Sequence, residues 1–133
     1  MNFLDTNVIL RYLTCDDPEK AKKCGKLFKK AVDNKETLCI STMVVAEIVW
    51  TLEKAYKLSR SEIADCVQKI LNTPNFHVDE KDILLVAITL YELKKIDFID
   101  AYHVVFMKNK GIEFIYSYDS HFDLVSDLKR IEP

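Results

Sequence analysis

Glycine and proline are scarce in this chain of 133 residues, with two of the first and three of the second. That composition leaves little room for flexible linkers, collagen-like segments or low-complexity tails, and no internal repeat is visible. The four cysteines, Cys15, Cys24, Cys39 and Cys66, are scattered. None has the two-residue spacing of a zinc knuckle or a redox pair, so they are expected to be reduced, mostly buried and in a cytoplasmic protein. Phe3 and Leu4 run straight into Asp5, so the start does not read as a secretory leader. The longest nearly apolar run, Ile83 to Leu90 around Thr89, is far short of the ~20 residues a spanning helix needs, and no membrane is expected. A net charge of −2 argues against a broad basic nucleic-acid grip, because such binding draws its affinity from many phosphate contacts.

What is present is an apolar fraction of 49% with 30% charged residues, which suits a single domain with one core over 1–133. Asn2 to Asp5 reads as a short buried strand and Val8 to Leu13 as a helix, placing Asp5 at the strand's C-terminal end. Asp17 and Pro18 open a helix that runs to about Asp33, with Ala21, Cys24, Leu27, Phe28 and Ala31 as its apolar stripe. Thr37 to Ser41 reads as a strand and Thr42 to Lys57 as a helix. Ser59 and Glu62 have the spacing of a capping box for a helix to about Asn72. Asn75 to Val78 forms a further short strand, followed by a helix over Glu80 to Lys95. Asp97 to Lys110 is a helix stopped by Gly111, and Glu113 to Ser117 is a strand that delivers Asp119 beyond its end. A short helical turn or loop after His121 and an edge strand over Lys129 to Glu132 complete the chain. Helices alternating with short strands imply an α/β sandwich on a parallel sheet.

Four acids carry the chemical reading. Asp5 and Asp119 sit at strand ends, where open parallel sheets keep their sites, and Glu47 and Asp100 lie early in helices. Glu47 stands among Met43, Val44, Val45, Ala46, Ile48, Val49 and Trp50, where an ionised carboxylate needs a partner. Carboxylates about 4 Å apart repel by roughly 4 kcal/mol at an effective dielectric near 20, so such a group requires protonation or a cation. Oxygen-only ligands favour Mg²⁺ or Mn²⁺, and those metals bridge phosphate oxygens and orient water for attack on a phosphodiester. Asp97 shares a face with Asp100 and is well placed to cap its helix, leaving it a supporting role. Thr6, Asn7 and Ser117 flank the acids and either cap or orient them. His103 and His121 lie near two of these ligands without zinc-site spacing and are read as packing or surface residues. Lys20, Lys22, Lys23, Lys26, Lys29 and Lys30 form a local positive stripe, read either as a solvated helix face or as a nucleic-acid contact.

These residues give the chain a resemblance, over nearly its full length, to PIN-domain ribonucleases and specifically to the VapC-type toxins of prokaryotic toxin–antitoxin pairs. It rests on Asp5-Thr6-Asn7, on Ala46-Glu47 followed by Trp50 and Leu52, on Asp97-Phe98-Ile99-Asp100-Ala101, and on Ser117-Tyr118-Asp119-Ser120-His121-Phe122. The resemblance implies a PIN-like three-layer α/β/α sandwich with a short-stranded, mainly parallel central sheet. It also implies a Mg²⁺- or Mn²⁺-dependent endoribonuclease whose site is Asp5, Glu47, Asp100 and Asp119. A homodimer and a small antitoxin partner are implied by resemblance alone. Ser117 stands where Thr is more usual and Tyr118 where Phe is common. Two other classes compete: a catalytically silent PIN-like module that binds RNA or protein, and a small-molecule phosphohydrolase. The latter lacks both an Asp-x-Asp nucleophile at the first strand and a Gly-rich phosphate loop.

Overall fold

The structure, a computed structural model, describes residues 1–133. The chain divides into two compact units, Met1–Lys81 and Asp82–Pro133. In the first, β1 (Asn2–Phe3), α1 (Thr6–Thr14), α2 (Pro18–Val32), β2 (Leu38–Ile40), α3 (Thr42–Lys54), α4 (Arg60–Leu71) and β3 (Phe76–Val78) follow in order. The three strands form a parallel sheet in the order β1-β2-β3, with Phe3 opposite Cys39 and Cys39 opposite His77. Each strand is two or three residues long, so the sheet is held by the helices around it more than by its own ladder. Leu38 and Ile40, on one face of β2, are buried, Cys39 on the other is partly so, and Ile9, Val45, Ile48, Leu52, Ile63 and Leu71 are likewise buried. Phe28 links Tyr12 and Phe76 through two edge-on ring contacts, at 4.5 and 5.3 Å between centroids.

The helix boundaries follow the capping residues. Asp17 accepts from the Lys20 amide at 3.1 Å ahead of Pro18, and Ser41 accepts from the Val44 amide at 3.3 Å. Ser59 and Glu62 form the reciprocal capping box, at 3.1 and 3.2 Å. Ser59→Ala is expected to cost about 1 kcal/mol of stability, read by denaturant unfolding.

The second unit contains most of α5 (Lys81–Leu93), then α6 (Phe98–Asn109), β4 (Phe114–Tyr116), a 3₁₀ turn over Ser120–Leu124 and β5 (Lys129–Ile131). β4 and β5 form a parallel pair, with Ile115 opposite Arg130. Val104, Met107, Phe122, Val125 and Leu128 make its buried cluster, with Leu90 and Ile115 against it. Gly111 adopts φ +70 just past α6, the left-handed conformation a side chain disfavours, and the Ile112 amide bonds back to the Met107 carbonyl at 2.8 Å.

The strands are parallel and alternate with helices as the sequence implies. Their hydrogen bonding is divided between a three-stranded and a two-stranded sheet rather than one five-stranded ladder. The cysteines correct another expectation: Cys15 is exposed and the other three are only partly covered, all as free thiols. Burial on α4 pushes the Cys66 thiol up from its ordinary value. No helix is long and apolar enough to cross a membrane.

Candidate active site

In the first unit the site is built on the step from β1 into α1. Asp5 occupies the N-cap position of α1 with extended backbone, yet its side chain makes no capping bond. The usual structural reason for an aspartate here is therefore missing, and its carboxylate oxygens remain free. Thr6 is the one buried polar side chain of the protein, 6% exposed, and its hydroxyl donates to Glu47 Oε2 at 2.5 Å. Glu47 is itself exposed, contrary to the reading of a carboxylate shut among apolar neighbours. Met43 and Trp50, at helical spacing on either side of it, are exposed with it, and the buried face of α3 is Val44, Val45, Ile48, Val49 and Leu52. Asn7 is exposed on the first turn of α1.

In the second unit Asp97 takes the N-cap position of α6, again with no side-chain capping bond, so position alone does not account for it. Asp100 is partly buried in the first turn. Burial pushes its carboxyl above the ordinary aspartate value, and the nearby Asp119 and Asp97 push the same way, while His103 and His121 oppose them. Asp119 shifts in the opposite direction. It accepts from the His121 amide at 2.9 Å, the His121 ring nitrogen Nδ1 lies 2.7 Å from the same oxygen, and both bonds hold its carboxyl low. The Ser117 hydroxyl accepts from the Asp119 amide at 3.0 Å, orienting the turn that carries the acid.

Arg130, which no local pattern in the sequence marks, supports that turn from β5. Its guanidinium donates to the Ser117 carbonyl at 3.0 Å, to Asp123 through two nitrogens at 3.0 and 3.2 Å, and to Glu132 at 3.0 Å. Those carboxylates raise its own pKa further. His121, read from the sequence as a packing or surface residue, is in contact with Asp119.

The structure thus brings Thr6 to Glu47 in one unit, and Asp100 to the neighbourhood of Asp97 and Asp119 in the other. Within either unit no three His, Cys, Asp or Glu side chains gather closely enough to hold a metal by themselves. The donor set nonetheless suits a hard divalent cation. The ligands on offer are carboxylate oxygens, two of the acids at helix starts are not spent on capping, and Asp100 carries mutual repulsion that a cation relieves. In metal-free protein a carboxyl ¹³C titration is expected to find Asp100 above the ordinary aspartate pKa and Asp119 below it. With those signs, the Asp100 contribution to stability is lost as pH rises through its raised folded pKa. The Asp119 contribution is lost as pH falls through its lowered one.

On α2 all six lysines of the stripe are exposed. Lys23 pairs with Glu19 at 3.6 Å and Lys29 with Asp33 at 3.0 Å, while Lys22, Lys26 and Lys30, at four-residue spacing along one face, pair with no carboxylate.

The PIN-domain signature matches residues 3–128, so the chain belongs to the PIN-domain family. Within that family it is 33% identical over 122 residues to the VapC ribonuclease of Aquifex aeolicus (strain VF5), covering 92% of this chain and 90% of that protein. The crystal structure of Mycobacterium tuberculosis VapC20, a sarcin–ricin-loop-cleaving toxin, aligns over 100% of both chains at 18% identity with a TM-score of 0.43. That likeness is too loose to place individual residues.

Proposed function

We propose that this protein is an endoribonuclease that hydrolyses RNA phosphodiester bonds with Mg²⁺ or Mn²⁺, as the toxin of a VapBC-type pair. The observation that carries the reading is the 33% identity to a VapC ribonuclease along 92% of the chain. The acids supply its chemistry: Asp5, Glu47, Asp100 and Asp119 hold the ion, and Thr6, Asn7, Asp97 and Ser117 support them. A divalent ion held by carboxylates lowers the pKa of a bound water and neutralises charge developing on the phosphate.

The chain's own part is positioning. Thr6 fixes the direction of Glu47, Ser117 and His121 fix Asp119, and burial around Asp100 strengthens its attraction for a cation. We also propose that residues 1–133 act as one PIN domain, that the protein works in the cytoplasm as a homodimer, and that a cognate small antitoxin restrains it.

The test is purified protein with single-stranded RNA in Mg²⁺, in Mn²⁺ and in EDTA. Internal cleavage in the metals and none in EDTA is expected. Tight RNA binding with no turnover in either metal would instead establish the silent binding module, and faster turnover of a phosphomonoester than of RNA the phosphohydrolase.

A further inference from the structure

A cleft of about 420 Å³ opens between α1 and α3, one helical turn beyond Asp5 and Glu47. Its walls come from Asn7, Leu10 and Arg11 on α1, Asp16 in the loop after it, Thr51 on α3, and Ala55 and Tyr56 just past α3. The spacing ties it to the acids: Asn7 lies two residues after Asp5, and Thr51 is four after Glu47 on the same helical face. The volume is within the roughly 300–1,000 Å³ of small-ligand clefts.

Two of the walls are braced against each other. Tyr56 donates its hydroxyl to Asp16 Oδ2 at 2.8 Å, and Arg11 donates to Asp16 Oδ1 at 3.0 Å, so one carboxylate fixes both the ring and the guanidinium. Those two bonds hold the Asp16 carboxyl low. On the other side of the Asn7–Arg11 ridge a second depression of about 400 Å³ adds Lys20 and Lys23. A half-open cleft with both polar and apolar walls thus adjoins a hollow edged by Arg11, Lys20 and Lys23, each paired at the surface with a carboxylate, and both lie close in sequence to the acids of the first unit.

Resting on the ribonuclease reading, we propose that the α1–α3 cleft is the subsite for the nucleobase next to the cleaved phosphodiester. The base stacks on Tyr56, its edge meets the Asn7 carboxamide and the Thr51 hydroxyl, and the neighbouring backbone phosphate lies towards Arg11, Lys20 and Lys23. Single-stranded RNA fits better than a peptide. Five of the seven lining side chains are polar or aromatic with a hydroxyl, and an aromatic face beside cationic groups is how single strands are held.

The test maps cut sites in a random-sequence RNA pool and measures kcat and KM on one oligonucleotide, for the natural protein, Tyr56→Ala, Tyr56→Phe and Thr51→Val. Tyr56→Ala is expected to raise KM about tenfold or more and flatten the base preference beside the cut, with kcat changed less. Tyr56→Phe keeps the preference, because the ring remains, and Thr51→Val alters which base is preferred. Natural KM and preference in both Tyr56→Ala and Thr51→Val would overturn the proposal. Should Tyr56→Ala fail to fold, Thr51→Val carries the same decision. A second arm is independent of turnover: a single-stranded hexanucleotide titrated into Asp100→Asn is followed by amide chemical shifts. Shifts centred on Asn7, Thr51 and Tyr56 support the subsite even if the natural protein cuts no RNA, which would sink only the nuclease reading. Shifts elsewhere alone, or a cleft that answers a partner peptide and not RNA, overturn it.

Discussion

Asp100→Asn is expected to reduce metal-dependent RNA cleavage by more than about 100-fold while raising the melting temperature of the metal-free protein by about 2 °C or more. Both effects have one cause. Partial burial and the charges of Asp119 and Asp97 make an ionised Asp100 costly in the folded chain, which is the direction of its pKa. Asparagine keeps the shape and removes the charge, so the folded state is relieved of repulsion at neutral pH. It also removes an anionic oxygen from the proposed ligand set, and a ligand is worth more than the ~10–100-fold typical of residues that merely support one. Such opposition between stability and activity marks a functional group, since a structural carboxylate loses stability when neutralised. Kinetics with Mg²⁺ and a thermal scan in EDTA check the two halves. A variant that melts lower and cleaves normally would return Asp100 to a structural role.

Thr6→Val is expected to lower kcat/KM about 10–100-fold with a stability loss of about 0.5–1.5 kcal/mol. Thr6 is buried beneath Glu47 and donates its hydroxyl to it at 2.5 Å. Valine fills the same space with the same β-branching and leaves Glu47 without that donor, free to swing on an exposed helix face. Thr6→Ser retains the hydroxyl and is expected to recover most of the activity. Equal kinetics in the valine and serine variants would show that the hydrogen bond does not serve the reaction.

Much of the fold is legible in local chemistry. Asp17 with Pro18 and Ser59 with Glu62 mark helix starts because capping is settled within four residues, and Gly111 marks a stop because it takes a positive φ, whereas Ser41, read as the end of a strand, proves to cap the next helix. Strand pairing is settled by contacts far apart in sequence. The division into a three-stranded and a two-stranded sheet therefore has no local sign.

At the site the acids themselves stand out, and their surroundings do not. Apolar neighbours suggested that Glu47 is enclosed, yet Met43 and Trp50 share its face and are 74% and 65% exposed. Hydropathy alone does not say which of two apolar stripes on a helix turns inward. Asp97 has the sequence position of a cap and makes no capping bond, which only geometry reveals. Arg130 reaches the Ser117 carbonyl from thirteen residues away across a strand pair, a separation at which no spacing rule applies.

Mn²⁺ binding to the natural protein, Asp5→Asn and Asp100→Asn, followed by electron paramagnetic resonance, tests the proposed metal chemistry most directly. Saturable binding that each substitution weakens by about tenfold or more is expected, because each removes one of the carboxylates proposed to hold the ion. Mn²⁺ bound as tightly by both variants as by the natural protein would contradict it.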